Sequence, residues 1–267
     1  MRIWSWLLLA PALLLTVGLY GTGLGLAMLR TTPADYLGIL RSGLMWRSFT
    51  LTLGLALAIT GLAVVGGLGL ALLLRRCGSL TLWLCQVTLP LPHLVGVTGM
   101  MMLLAPGGWL ARLGVGLGWL ARDQDWPLLV NDPGYRGVVL HWLWKEIPFV
   151  ALLCLTRLQA LGDSYRQQAS LLGANPWQCF VAITLPLLAP TLTGAGIMVF
   201  AAVLTVLEVP FLLGPAAPPL VPVLIYRHFT ATDLTERSLA LSLGILLTLI
   251  LGVVVFWGQR SKGGELT

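Results

Sequence analysis

The sequence predicts an all-α membrane protein with about six transmembrane helices, and three observations carry that prediction. Of 267 residues, 57% are hydrophobic and only 10% are charged, whereas a soluble globular domain carries about 25% charge. The mean hydropathy is +0.90. Six apolar runs, at about 4–28, 48–74, 84–105, 137–156, 187–213 and 239–258, each reach the roughly 20 residues a helix needs to cross the hydrocarbon core. The alternation of a β-barrel is absent, and a helix satisfies its own backbone groups in lipid.

Each run has its own signals. The first opens on Met1-Arg2 and imitates a secretory signal, but its apolar character continues through Tyr20 to Met28 with no small-x-small site. It is expected to be a retained helix. Gly21 and Gly25 form a small-xxx-small pair able to seat a neighbour. Between the first two runs, Arg30, Asp35, Arg41 and Arg47 are spaced as in a short helix lying in the interface. The third run contains Leu89-Pro90-Leu91-Pro92-His93. Its proline pair is expected to bend the helix. An ionisable residue at that depth is a functional candidate by default; a neutral His93 hydrogen-bonded to a neighbouring helix is the favoured alternative. Residues 106–136 form the longest polar stretch, with Asp123, Asp125 and Asp132. In the fourth run Lys145 and Glu146 are adjacent, do not share a face, and are expected at an interface or helix end. The tail, 259–267, is short and polar.

Other classes fall away. The net charge is +6, but the basic residues stand singly or in pairs at the ends of apolar runs. A nucleic-acid binder clusters them in a stripe; here they suit helix ends at headgroups. With the N-terminus inside, the inner segments hold Arg2, Arg75, Arg76, Arg157, Arg166, Arg260 and Lys262, seven of sixteen basic residues, so charge alone does not orient the chain. Cys77, Cys85, Cys154 and Cys179 have no metal-ligand spacing and are read as small packing residues. Met100, Met101 and Met102 point in different directions around a helix and cannot form one ligand face. No Ser-His-Asp or HExxH pattern supports a membrane enzyme. No GxxxxGK[ST] cradle for ATP phosphates occurs.

Between the fourth and fifth runs lies Arg157-LQALGDSYRQQASLLGANPWQCFVAITLPLLAP, too polar to cross and too regular for an arbitrary loop. Leu158, Leu161, Tyr165, Ala169 and Leu172 fall on one face of a helix expected over 157–172. Gly173 suits a helix C-terminus. Asn175 is a good N-cap and Pro176 fits the first position of a second helix, which runs on into the fifth span.

This segment resembles the EAA loop of binding-protein-dependent ABC importer permeases: Glu-Ala-Ala, three residues, Gly, nine residues, then Ile-x-Leu-Pro. Gln167, Gln168 and Ala169 occupy the first three places, Gly173 follows at the correct gap, and Ile183, Leu185 and Pro186 close the pattern in register. The first two letters depart from the motif, which removes the carboxylate at position 167. Trp46-Arg47-Ser48-Phe49-Thr50 and Leu89-Pro90-Leu91-Pro92 look like parts of the permease core. Glu208-Val209-Pro210-Phe211-Leu212-Leu213-Gly214 is similar to the branch of polyamine, thiamine, iron(III) and aminoethylphosphonate permeases.

The resemblance implies a type I importer permease of MetI-like fold, one transmembrane domain over 1–267, with 157–186 as a cytoplasmic coupling loop. It implies that Arg166, Gln167, Gln168, Ala169, Gly173, Ala174 and Asn175 dock on an ATPase subunit, and that His93 and Glu208 are candidates for the translocation path. Glu208 equally suits a helix-interface cap. The implied partners are a dimer of ATP-binding cassette ATPases, which hold ATP and Mg while this chain binds no cofactor, a second permease copy or homologue, a periplasmic solute-binding protein and membrane lipid. The implied location is a bacterial inner membrane with both termini cytoplasmic. Cargo stays open. A small secondary carrier or channel, uncoupled from ATP, is the alternative; it needs no glycine-turn loop.

Overall fold

The structure, a computed structural model, describes residues 2–75, 79–162 and 164–263; Arg76, Cys77 and Asp163 lie outside the described residues, as does the end of the tail. Among the described residues the chain is helical, with no strand. In chain order the helices are α1 (Arg2–Leu29), α2 (Pro33–Arg41), α3 (Gly43–Leu74), α4 (Ser79–Val87), α5 (His93–Leu104), α6 (Trp109–Gly116), α7 (Arg136–Leu161), α8 (Ser164–Leu171), α9 (Pro176–Cys179), α10 (Leu185–Thr205), α11 (Glu208–Leu213), α12 (Val221–Phe229) and α13 (Glu236–Gly263). Six segments are long and apolar enough to cross a membrane: Leu9–Leu29, Gly43–Leu74, His93–Gly116, Arg136–Leu161, Pro176–Thr205 and Glu236–Gly258.

The core is built on α3, α7 and α10. On α3 the buried positions Ala56, Ile59, Ala63, Gly67, Ala71 and Leu74 recur every three or four residues, one stripe of a helix. Most are small, which lets backbones approach where lipid offers no hydrophobic drive between helices. Gly67 is the tightest point: a Cβ there would come within 2.5 Å of Val150 Cβ on α7. A second cluster joins Ile39 of α2, Met45 and Phe49 of α3, Val221 and Leu224 of α12, and Leu243 and Leu247 of α13. The Thr52 hydroxyl accepts from Val221 N at 3.0 Å, which ties α12 to α3. By contrast α1 packs mainly on α13, and the spanning part of α1, Leu9–Leu29, buries none of its residues. Among the described residues no atom lies within 4 Å of a Cβ at Gly21 or Gly25, so the expected small-residue pair seats no helix among them.

The structure corrects two expected spans. The third, read as continuous over 84–105, is broken between Val87 and His93 into α4 and α5. Pro90 and Pro92 remove two backbone donors and push the residues before them out of the helical region. The fifth, read as 187–213, begins at Pro176 and stops at Thr205; Val206 is extended (ψ 123°), and α11 starts afresh at Glu208. Pro210 explains this second break: in a continuous helix its ring would clash with the Val206 carbonyl and its missing N–H would leave that carbonyl unbonded.

The start of α7 is held by Asp132. Arg136 N donates to Asp132 Oδ2 at 3.1 Å, and the Arg136 guanidinium forms a two-point pair with the same carboxylate at 3.0 and 3.1 Å. Together, the backbone donor first, they hold the Asp132 carboxyl below its ordinary value. A folded-state pKa below the unfolded one adds stability at pH values above the ordinary carboxylate range, and that increment is lost as pH falls through the folded value. The expected result is a fall in thermal stability of the purified chain on acidification below about pH 4, with a smaller fall in Asp132→Asn. Identical acid profiles for the two proteins would contradict it.

Candidate functional site

The loop between α7 and α10 is a folded unit. The helix expected over 157–172 is interrupted: α7 ends at Leu161, Gly162 takes φ +65°, and α8 begins at Ser164. The apolar face read across it therefore belongs to two helices. Leu158 is buried on α7, while Tyr165 and Leu172 are exposed. At the far end of α8 the expected turn is present. Gly173 has φ +85°, Ala174 N donates to Ala169 O at 3.0 Å, and Gly173 N donates to Ser170 O at 3.0 Å. This is a Schellman C-cap, whose left-handed position strains any residue with a Cβ. Asn175 then caps α9 reciprocally: its Oδ1 accepts from Gln178 N at 2.8 Å, and Gln178 Oε1 accepts from Asn175 N at 2.9 Å. Pro176 occupies the first helical turn. Between α9 and α10, residues Phe180–Thr184 form a π turn. Pro186 lacks the N–H that an α-helix would offer to Ala182, and the widened turn is one way to meet that constraint.

The surface of this unit is the informative part. Leu171, Leu172 and Trp177 are 87%, 89% and 70% exposed, flanking Gly173 on both sides. Among the described residues no atom lies within 4 Å of a Cβ at Gly173. Gln167, Gln168 and Asn175 are exposed; Ala169 and Ala174 are half-buried. Arg166 is carried on α8, and its side chain lies outside the described residues. Exposed large apolar side chains grouped around one turn mark a contact surface.

A second group of polar residues sits where α5, α7 and α11 meet. His93 opens α5 at the helix break. Its Nδ1 is buried with no hydrogen-bond partner, so the expected bond to a neighbouring helix is not formed through that atom; the ring instead packs on Trp142, 5.1 Å between centroids. His141, which the sequence reading passed over, is fully buried, with both ring nitrogens unpartnered, 6.0 Å from His93. Its presence in an apolar run was the signal available. Lys145 and Glu146 correct the expectation of an interface or helix-end role. Both are interior to α7 and only 8% and 7% exposed. The Lys145 ammonium donates to the Leu91 carbonyl, which the proline break had freed. Glu208 is exposed at the start of α11 and forms no hydrogen bond or ion pair among the described residues. It lies close enough to act on His93 through its charge. The structure thus brings His93 and Glu208 together and adds His141 and Lys145 to them. The coupling-loop residues are all on the other unit.

The described residues thus form a bundle of six membrane-length segments, with the third and fifth spans broken and a glycine-turned loop between the fourth and fifth. The chain belongs to the family described as binding-protein-dependent transport system inner membrane component, which matches residues 63–261. It is 28% identical over 221 residues to the inner membrane ABC transporter permease protein YnjC of Escherichia coli (strain K12), covering 74% of this chain. It is 30% identical over 198 residues to the thiamine transport system permease protein ThiP of Salmonella typhimurium (strain LT2), covering 72% of this chain. The chain spans only 38% and 35% of the length of those two relatives. In fold it is similar to a chain of a bacterial alginate ABC transporter solved with an alginate pentasaccharide-bound periplasmic protein, with TM-score 0.75, 21% identity and coverage of 97% and 95% of the two chains. The similarity to the MetNI methionine ABC transporter is looser, with TM-score 0.52, 16% identity and coverage of 81% and 94%.

Proposed function

We propose that the chain is the membrane-spanning subunit of an ATP-driven importer, and that the α8–Gly173–α9 unit is the helix that couples it to a separate ATPase. The observation that carries this reading is the apolar platform of Leu171, Leu172 and Trp177 around a glycine held at positive φ. Exposed large apolar side chains grouped at the end of a span and on the loop that leads into it mark a surface for a protein partner. Arg166, Gln167, Gln168, Ala169, Ala174 and Asn175 frame that platform and contact the ATPase with it. ATP and Mg belong to the partner, since this sequence holds no phosphate-binding loop. The remaining partners are a second permease, identical or homologous, and a solute-binding protein on the opposite face. The loop then faces the cytoplasm of a bacterial inner membrane, and six spans place both termini on that side. His93 and Glu208 stand on the translocation path.

Two measurements test this. A single cysteine at Ser170, in a chain whose native cysteines have been replaced, should react with a membrane-impermeant maleimide in inverted vesicles and not in intact cells. The tagged chain, purified gently from its native membrane, should bring down a P-loop ATPase, while the stripped chain hydrolyses no ATP. Labelling of Ser170→Cys from outside intact cells would overturn the coupling assignment. ATP turnover by the verified-pure chain would overturn the division of labour.

A further inference from the structure

We propose that the groove between the end of α1 and the start of α13 holds one anionic phospholipid, its phosphate between Arg30 and Arg237 and an acyl chain running down past Gly23. The site stands on the membrane-spanning bundle alone and is the same for a permease or a carrier. Position comes first. The first span closes at Leu29 and the last opens at Glu236. Arg30 and Arg237 therefore stand at one membrane face, at the level where headgroups begin. A cavity of 780 Å³ lies between them, lined on α1 by Gly23, Leu26, Ala27 and Arg30 and on α13 by Arg237 and Leu241. That volume is within the usual range for ligand sites, roughly 300–1,000 Å³.

Shape comes second. Gly23, Leu26, Ala27 and Arg30 follow the three-and-four spacing of one helix face. Gly23 is seven residues before Arg30 and so lies about 10 Å deeper. Leu241 is four residues after Arg237 and lies about 6 Å deeper. The groove is therefore charged at the membrane surface and apolar beneath, the order of groups along a phospholipid. Among the described residues no atom lies within 4 Å of a Cβ at Gly23, which leaves room for a chain where a side chain would stand. The spanning part of α1 buries none of its residues, so this helix borders on lipid, and an empty groove beside it would forfeit dispersion contacts.

Charge comes third. The two charged residues lining the cavity are both arginines. The Arg30 side chain forms no hydrogen bond or ion pair among the described residues. The Arg237 guanidinium lies over the Phe229 ring, 5.7 Å from its centroid, and stacking leaves its in-plane N–H donors free. Three acids are near in the chain, Asp35, Asp233 and Glu236, and none of them lines the cavity. Each has a donor of its own. Asp35 accepts from Thr32 N at 2.8 Å and from Ser238 Oγ at 3.0 Å. Asp233 Oδ1 accepts from Thr235 N at 2.9 Å, and Glu236 Oε2 sits 3.0 Å from His228 Nδ1. They offset charge from a distance, and neither guanidinium is bonded to one of them. Two open guanidiniums above an apolar groove are the chemistry that holds a phosphodiester carrying acyl chains. An apolar partner helix would fill the groove and leave both cations without an anion.

The test counts bound lipid directly. The full chain, in a non-ionic detergent, is titrated with dioleoyl phosphatidylglycerol or with dioleoyl phosphatidylcholine, and lipid adducts are resolved by native mass spectrometry. One phosphatidylglycerol should bind ahead of any other lipid, and phosphatidylcholine should not replace it. Affinity for that lipid should fall roughly fivefold for each arginine removed, in Arg30→Gln and in Arg237→Gln. Arg157→Gln removes an exposed charge at the far end of α7 and should leave it unchanged. Gly23→Leu fills the apolar arm with both arginines intact and should also weaken binding. Glycerophosphoglycerol, the headgroup without its chains, should not displace the lipid. Equal binding of phosphatidylcholine, indifference to the arginine changes, or wild-type binding in Gly23→Leu would overturn the site. Displacement by glycerophosphoglycerol would make it a site for a small phosphate instead, and a dimer that excludes the lipid would assign the groove to a second copy of the chain.

Discussion

A Gly173→Arg chain is expected to reach the membrane at wild-type level, to lose its hold on the ATPase and to transport nothing. Two independent causes act at this position. Gly173 sits at φ +85°, and a residue with a Cβ is strained there by about 1–2 kcal/mol. The turn is also the point at which α8 hands over to α9, and its surroundings are open, with no atom of the described residues within 4 Å of a Cβ. Within this chain an arginine side chain therefore has room, so the fold tolerates it apart from the strain. Against a docked surface the same side chain stands between Leu172 and Trp177, which are the groups the partner would cover. Gly173→Ala separates the two causes: it keeps the strain and adds almost no bulk, so it should weaken ATPase pull-down by about tenfold, the equivalent of roughly 1.4 kcal/mol. Gln167→Glu should have little effect, since the side chain is exposed and of the same size. Uptake and ATPase pull-down are measured for all three at matched membrane levels. Full uptake and full pull-down in Gly173→Arg would show that this turn does not dock.

The turn was legible in the sequence because its determinants are local. A glycine, an asparagine and a proline within four positions, Gly173 to Pro176, fix a left-handed cap, a reciprocal side-chain cap and a first helical turn, and each acts over a few bonds. Hydropathy located six spans for the same reason. Gly162 was missed because apolar spacing continues across it; periodicity reports which side chains would share a face, and is blind to a backbone that turns between them. The breaks in the third and fifth spans needed more than hydropathy. Both lie inside runs whose hydropathy stays high enough to read as single spans, and prolines at 90, 92 and 210 were the available signal. Whether a proline bends a helix or ends it depends on what meets the freed carbonyl. That partner is 54 residues away in sequence for Leu91 and Lys145.

Lys145 decides how the broken third span is held, and its removal should cost more than any surface change. The break leaves the Leu91 carbonyl without a helical donor, and the Lys145 ammonium supplies one from α7. The lysine is also the nearest offset for Glu146, its neighbour in the chain, in a part of α7 where both are almost fully enclosed. In Lys145→Met the carbonyl loses its donor and the carboxylate loses its counter-charge, while the aliphatic stem is kept. A hydrogen bond to a charged group contributes about 1.5–3 kcal/mol, and unfolding of the detergent-purified chain should become easier by that amount. Glu146→Gln in the same chain removes the stranded charge, so the double variant should recover part of the loss. A simple packing defect would not be rescued this way, because the glutamine adds nothing to the space the lysine left. Lys145→Arg keeps the charge with a different donor geometry and should fall between wild type and Lys145→Met. Trp142 and Trp144 flank the break through their contacts with His93 and His141, and their fluorescence gives a local reading beside the global unfolding curve. Lys145→Met with wild-type stability, or a double variant no better than the single one, would remove the ammonium from the account of why this span is broken where it is.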